Sequence, residues 1–333
     1  IIAEEASDQP VEPASITKLM TAYAVFRELA SGNIALDDMV TISEKAWRAE
    51  GSRMFIEVNK RVSVGDLLRG MVIQSGNDAS VALAEHVAGS EETFANLMNE
   101  HARRLGMNET HFVNATGLPD PEHYTTPRDI ALMSRATILD HPEFYKWYAI
   151  KDYTYNNIKQ NNRNGLLWKD SSVDGVKTGH TEAAGYCLVA SAVRDGTRLM
   201  SVIMGTESTA ARETASSELL NYGFRFFETR KILSAGDELQ QVKIWKGDVE
   251  QVPVGVASDI FMTYPREDKE SLQAQLMLST PIEAPVQKGQ QLGTVVISLK
   301  GEKKKTVPLV SLAAVGEGSF FSRMTDAFML WLE

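Results

Sequence analysis

Apolar positions recur at helical spacing through the first part of the chain and at strand spacing later. Leu19, Ala22, Tyr23, Phe26, Leu29 and Ala30 fall on one face of a helix over about residues 15–31, with Gly32 as a suitable stop. Leu67, Leu68, Met71 and Val72 give residues 64–74 the same period. That helix breaks at Ser75-Gly76-Asn77-Asp78, and a very apolar one resumes through Val81, Leu83, Val87 and Ala88 to end at Gly89. Further helices are expected over residues 91–105 and 126–139, the second with Pro127 in its favourable first turn. Between them, residues 108–126 carry Gly117, Pro119, Pro121 and several Asx and Thr residues, a loop long enough to be functional or mobile.

The period then changes. Residues 1–14 are expected to be the tail of a strand followed by a polar loop closed by Pro10 and Pro13. From Tyr153 on, residues 153–155, 166–168, 173–180, 185–193 and 198–204 are strand-like. Arg194-Asp195-Gly196-Thr197 joins the last two as a hairpin turn. A helix over about residues 209–227 closes this unit. A block of helices followed by strands argues for an α+β domain, an antiparallel sheet packed by helices, rather than alternating βαβ units. Beyond Glu228, short strand-like runs at 241–245, 252–256, 260–264, 272–278, 293–299 and 306–312 describe a small all-β domain, a spacer or interaction module. The resulting division is 1–228, 229–317 and 318–333. In the last segment Phe320, Phe321, Met324, Ala327, Phe328, Trp331 and Leu332 form one helical stripe, with Ser322, Arg323, Thr325 and Asp326 opposite. That pattern suits a helix lying in a membrane surface, although one basic residue supplies little electrostatic attraction.

Composition narrows the chemistry. The formal net charge of −10 argues against a general nucleic-acid binder, so any anionic ligand must meet a local cationic pocket. The one cysteine, Cys187, excludes an intrachain disulfide and sits in an apolar run where a buried, inert thiol is expected. No run of about 18 apolar residues exists, so no spanning helix is expected. The opening Ile1-Ile2-Ala3-Glu4-Glu5 lacks the features of a signal peptide, and a processed or fragmentary chain is expected. The six histidines stand apart, without metal-ligand spacing, and no dinucleotide or P-loop motif appears; no metal or cofactor is expected.

Three separated pieces carry candidate chemistry. Ser15 and Lys18, three residues apart on a helix, can share a face, and a desolvated lysine can take a serine's proton. Ser75 and Asn77 stand at a helix break, where polar side chains can project. Lys177-Thr178-Gly179 lies on a strand. S-x-x-K, S-x-N and K-T-G in this order are the motif set of acyl-serine enzymes that react with penicillin. With Asn162-Arg163-Asn164-Gly165 and the run from Val173 to Thr181, the chain resembles the low-molecular-mass penicillin-binding proteins, serine D-alanyl-D-alanine carboxypeptidases of Gram-negative bacteria, over nearly its whole length.

The resemblance implies a β-lactamase/transpeptidase-like catalytic domain, the trailing β-domain and a terminal amphipathic helix. It implies that Ser15 attacks the terminal D-Ala-D-Ala bond of peptidoglycan pentapeptides, with Lys18 as base and Ser75 as proton relay. Asn77 would hold the substrate amide or Lys18. Lys177, Thr178 and, as a second candidate, Arg212 would seat the terminal carboxylate. The backbone N–H groups of Ser15 and His180, the latter just past Gly179, would form the oxyanion hole. β-Lactams would be covalent inhibitors, and the enzyme would work on the periplasmic side of the inner membrane, held by its terminal helix. Arg163 is expected to be a hairpin-loop charge. A cross-link-cleaving D,D-endopeptidase remains open. A class A β-lactamase would need a glutamate over the acyl bond, and the long loop offers Glu122, between Pro121 and His123, without that family's loop pattern. An inactive peptidoglycan-binding module is disfavoured by the intact Ser15, Lys18, Ser75, Asn77 and Lys177.

Overall fold

In the computed structural model, which describes residues 1–332, the first apolar face becomes an α-helix at Lys18–Ala30. Leu19, Met20, Ala22, Tyr23 and Phe26 are buried in the main core. The helix does not begin at Ser15. Residues Ala14–Thr17 form a separate 3-10 turn, and no side chain caps the junction. With three residues per turn, Ser15 and Lys18 stand almost eclipsed, closer than α-helical spacing would place them.

Helices Val64–Gln74 and Asn77–Ala88 are separated by two residues only. Ser75 there takes a left-handed conformation, φ 73°. Hydroxyl caps start several helices, among them three long ones: Ser63 accepts from the Asp66 N–H, Ser90 from Thr93 and Thr126 from Asp129. Each such cap stabilises by about 1 kcal/mol. They frame helices Val64–Gln74, Glu91–Arg104 and Pro127–Asp140.

The sheet of this unit is antiparallel, in the order Val173–Thr181, Gly185–Arg194, Thr197–Thr206. Asp195 and Gly196, both at positive φ, make the hairpin turn. Alternation sorts the middle strand between two layers. Cys187 and Val189 join the main helical core, whereas Leu188, Ala190 and Ala192 pack with Leu166, Leu167 and Leu220 of helix Thr209–Phe226. The strand Val173–Thr181 is left as an edge.

Two local expectations fail. Residues 1–4 form no strand; polar side chains of this segment bind Arg128 instead, through ion pairs with Glu4 and Asp8 and a bond to Ser7. Residues 166–168 belong to a short helix, Leu166–Lys169, because Asn164 Oδ1 accepts the Leu166 N–H and turns the chain.

The chain divides into Ile1–Phe224 and Arg225–Glu333. The second unit holds a five-stranded antiparallel sheet in the order Leu272–Leu278, Gln291–Leu299, Glu302–Ser311, Gln251–Gly255, Gln240–Lys243. An unexpected strand, Phe227–Leu233, pairs with Ile260–Pro265 as a separate ribbon. Val252, Val254, Val295, Ile297 and Leu309 centre the core. The terminal helix, Phe320–Leu332, leaves Phe320, Phe321, Met324, Phe328 and Trp331 exposed. Its polar side meets the β-domain: Asp326 accepts the Lys246 N–H at 2.6 Å, and Arg323 pairs with Glu317. The Leu332 side chain and Glu333 lie outside the described residues. Among those residues no helix is long and apolar enough to cross a membrane.

Candidate active site

The three motif pieces meet. On the 3-10 turn, Ser15 Oγ accepts a hydrogen bond from Lys18 Nζ at 2.9 Å, and the same nitrogen donates to the Thr116 carbonyl at 2.5 Å. Lys18 is 1% exposed. Burial, with the Arg163 charge adding to it and Asp78 opposing it, pushes the Lys18 ammonium down to about 7. From the edge strand, Lys177 Nζ donates to Ser75 Oγ and to the Thr178 carbonyl, each at 3.0 Å. Burial holds Lys177 well below its usual value, and Lys18, Arg163 and Arg212 push the same way.

Asn77 begins the helix after Ser75. Its Nδ2 donates to the Glu50 carbonyl at 2.5 Å, while its buried Oδ1 accepts nothing from the described residues. Thr178 is buried, and His180 is exposed, its ring tilted against Tyr186 at 4.0 Å between centroids. Gly179 faces the serine turn so closely that a Cβ would lie 3.1 to 3.2 Å from Ile16, the Pro13 carbonyl and Ala14.

Two arginines are held by backbone carbonyls. Arg163 is no detached loop charge, because its Nε donates to the Gln74 carbonyl at 3.2 Å, at the helix end carrying Ser75. Arg212 is 6% exposed and reaches the carbonyls of Gly179 and Cys187, each at 3.3 Å. It therefore sits against the K-T-G strand, over the Tyr186 ring. Its neighbour Glu213 is taken by Lys169 at 2.6 Å. The Cys187 thiol is buried, and burial pushes it up, away from the reactive thiolate.

A serine whose proton can pass to a buried, half-neutral lysine, facing a second serine tied to a second lysine, is an acyl-transfer arrangement. Comparison with known proteins agrees. The family profile described as D-alanyl-D-alanine carboxypeptidase, peptidase S11, matches residues 1–208. The chain belongs to this family. Its second unit matches the penicillin-binding protein 5 C-terminal domain over residues 227–317. The chain is 42% identical to D-alanyl-D-alanine carboxypeptidase DacA of Escherichia coli K12, over 99% of its length and 84% of the relative's. It is 44% identical to DacA of Haemophilus influenzae, over 97% and 84%. The solved penicillin-binding protein 5 of H. influenzae superposes with a TM-score of 0.88 at 44% identity, covering 95% of this chain and 94% of that one. Penicillin-binding protein 6B of E. coli gives 0.77 at 37%, covering 92% and 89%. The mixed helix and sheet unit is thus the transpeptidase-like domain of the S11 carboxypeptidases, followed by their β-domain.

Several parts of this S11 site escape motif reading. The Thr116-Gly117-Leu118 stretch resembles the carboxypeptidases, but the contact of the Thr116 carbonyl with Lys18 is a backbone one that no side chain marks. Gly117 takes φ 83° directly under Ala14, whose carbonyl oxygen a Cβ would strike. Asp78 is buried and accepts from the N–H groups of Met54, Phe55 and Ile56 at 2.9, 2.9 and 3.2 Å. It ties the segment beside Asn77 to the helix. Its place directly after Asn77, as an acidic residue in an apolar helix, was the one available signal. Glu122 is exposed, and its loop presents no carboxylate bonded to Ser15 or Lys18 among the described residues.

Proposed function

We propose that this chain is a serine D-alanyl-D-alanine carboxypeptidase that removes the terminal D-alanine of peptidoglycan pentapeptides through an acyl-enzyme on Ser15. The observation that carries this reading is the buried Lys18 amine, pushed to about 7 and bonded to Ser15 Oγ. At neutral pH about half of such lysines are unprotonated, against roughly one in a thousand or fewer for an ordinary lysine.

Ser15 Oγ attacks the penultimate carbonyl as its proton passes to Lys18 Nζ. The oxyanion forms between the backbone N–H groups of Ser15 and His180. The C–N bond then breaks, and the proton from Lys18 reaches the departing amine by way of Ser75. Ser75 suits that relay because its oxygen accepts from Lys177, leaving its own proton to point elsewhere. Asn77 Oδ1, buried and free to accept, takes a substrate amide N–H. Lys177 and Thr178 hold the terminal carboxylate, and Arg212, bonded to the Gly179 carbonyl, adds positive potential to that seat. Water, deprotonated by the same lysine, then releases the acyl group and restores Ser15.

No carboxylate replaces the missing deacylation base, so β-lactams acylate Ser15 and leave slowly. The ampicillin-bound penicillin-binding protein D2 of Listeria monocytogenes is among the similar structures, at 30% identity. The exposed apolar face of Phe320–Leu332 lies in the membrane surface on the periplasmic side, where the substrate is. Arg323 is already paired with Glu317, so apolar burial rather than charge supplies the attachment.

The test is release of D-alanine from a diacyl-L-lysyl-D-Ala-D-Ala peptide, with fluorescent penicillin labelling alongside. Labelling should vanish in Ser15→Ala. Absence of both D-alanine release and labelling in the unaltered protein would overturn the reading, and rapid nitrocefin turnover would point to a β-lactamase.

A further inference from the structure

Thr17 stands between Ile16 and Lys18 on the turn that carries Ser15. Its Oγ1 lies 2.8 Å from Nε2 of His123, and both residues are buried, His123 to 2% exposure. The opposite nitrogen, Nδ1, accepts the Val113 N–H at 3.1 Å. A neutral imidazole that accepts at Nδ1 carries its proton on Nε2, so His123 donates to Thr17. Phe112 packs edge-on against the ring at 5.6 Å between centroids.

His123 thereby fastens both limbs of the long loop to the serine turn, Val113 on one limb and its own backbone on the other. Residues 114–122 lie between these fastenings. Asn114 Oδ1 closes them locally, accepting from the N–H groups of Thr116 and Gly117 at 3.1 and 2.7 Å. The part of the loop so held includes the Thr116 carbonyl on Lys18 Nζ.

That carbonyl matters for direction. A neutral lysine has two N–H bonds and one lone pair. With an N–H engaged by Thr116, rotation of the amine is restricted, and the lone pair can be kept on Ser15 Oγ. We propose that His123 is a positioning residue for acylation: an uncharged cross-link from the loop to Thr17 that keeps the Thr116 carbonyl on Lys18 and thereby aims the lysine at Ser15. This rests on the acyl-enzyme reading above and adds to it a residue outside the three motifs.

His123 can serve across the working range because burial keeps it down to about 4, with Lys18 and His111 adding to the effect and Asp120 opposing it. It stays neutral while Lys18 titrates. The charges that face Lys18 are Arg163, Asp78 and Lys177, and none of them contacts the imidazole through a hydrogen bond among the described residues.

The experiment measures the acylation rate with fluorescent penicillin against pH, and kcat and KM for D-alanine release. The full chain is used, unaltered and as His123→Ala, His123→Gln and Thr17→Val. His123→Ala should acylate about 10- to 100-fold more slowly, as a misplacement near 1 Å does, with the loss in kcat rather than KM. A loosened loop admits water to Lys18, so the pH midpoint of acylation should rise from about 7 by about one unit. Glutamine can donate to Thr17 and accept from Val113, so His123→Gln should recover most of the rate and the midpoint. Thr17→Val should match His123→Ala, and the double variant should be little worse than either.

Acylation of His123→Ala at the unaltered rate and midpoint would overturn the inference, as would a slow His123→Gln with an unaltered melting temperature. If His123→Ala fails to fold, Thr17→Val decides by the same two readouts. Failure of the unaltered protein to label at all would instead count against the acyl-enzyme reading.

Discussion

Replacing Lys18 by Met should make the protein's stability less sensitive to pH, in a direction opposite to that of an ordinary salt-bridged lysine. In the folded chain the Lys18 ammonium titrates at about 7, against an ordinary 10.5. The unfolded state therefore binds more protons between these values, and the native state gains stability as pH rises through that window. Below about pH 7 both states are protonated and the folded state carries the full cost of a buried charge. With these two values the cost is about 4 kcal/mol at pH 7 and about 2 kcal/mol at pH 9. Met fills nearly the same volume and carries no charge, so it escapes this cost. It also leaves Ser15 Oγ and the Thr116 carbonyl without their donor, a loss of about 1–3 kcal/mol each that does not vary with pH.

The decisive quantity is thus the change with pH, not the sign at one pH. The stability of Lys18→Met relative to the unaltered protein should fall by about 2 kcal/mol between pH 7 and 9. Lys177 reinforces the trend, because removing the Lys18 charge lets its own titration return toward normal. The assay is calorimetry across that range. The catalytic unit's transition is identified as the one that penicillin shifts in the unaltered protein. Parallel curves for the two proteins would refute the reasoning, for they would mean that Lys18 is no more costly to charge in the folded state than in the unfolded one.

Three further outcomes follow from single contacts. Gly117→Ala places a Cβ against the Ala14 carbonyl at a φ of 83°, so penicillin labelling should fall at least about 100-fold with a lowered melting temperature; normal labelling would disprove the tight approach. Asp78→Asn puts an amide where a carboxylate meets the backbone N–H groups of Met54, Phe55 and Ile56, and should cost about 2–3 kcal/mol in urea unfolding, whereas no loss would show that these bonds hold little. Phe328→Asp should abolish sedimentation with lipid vesicles, and the unaltered protein should bind neutral and anionic vesicles alike because Arg323 is paired; binding to anionic vesicles alone would refute the apolar attachment.

The motifs were legible because they are side-chain chemistry at short spacing. Ser15 with Lys18, Ser75 with Asn77, and Lys177 with Thr178 each needed only local geometry; the structure bonds Lys18 to Ser15 on their turn and Lys177 to Ser75 across the cleft. The helices and most strands were legible from period alone. What escaped depends on tertiary approach. The serine's 3-10 turn replaces a first helical turn because the chain must pass under Gly117 and beside Gly179. Arg163 looked like a loop charge because nothing local shows that it reaches Gln74, and the bonds of Arg212 to the Gly179 and Cys187 carbonyls carry no local signal either. Leu166–Lys169 looked like a strand because an apolar run of this length fits either state, and an asparagine side chain decided between them.

The same contacts explain why the site is rigid enough to aim a lysine. Close approach of backbone to backbone needs positions without a Cβ, and they surround the nucleophile. Gly179 and Gly117 press on the serine turn from strand and loop, and Gly51 presses on Asn77. Ala14, Ser75 and Phe55 meanwhile hold left-handed conformations that non-glycine residues rarely adopt. Such conformations cost about 1–3 kcal/mol each and persist only where surrounding bonds fix them. Asp78 fixes Phe55 through its N–H, Lys177 bonds the Ser75 hydroxyl, and the Pro13 carbonyl accepts the Ile16 N–H across Ala14. Strain and its restraints therefore occur together at the positions that carry Ser15, Ser75 and the wall beside Asn77. A substitution that relaxes any of the three should raise stability and lower the acylation rate together, which separates an aimed site from a merely well-packed one.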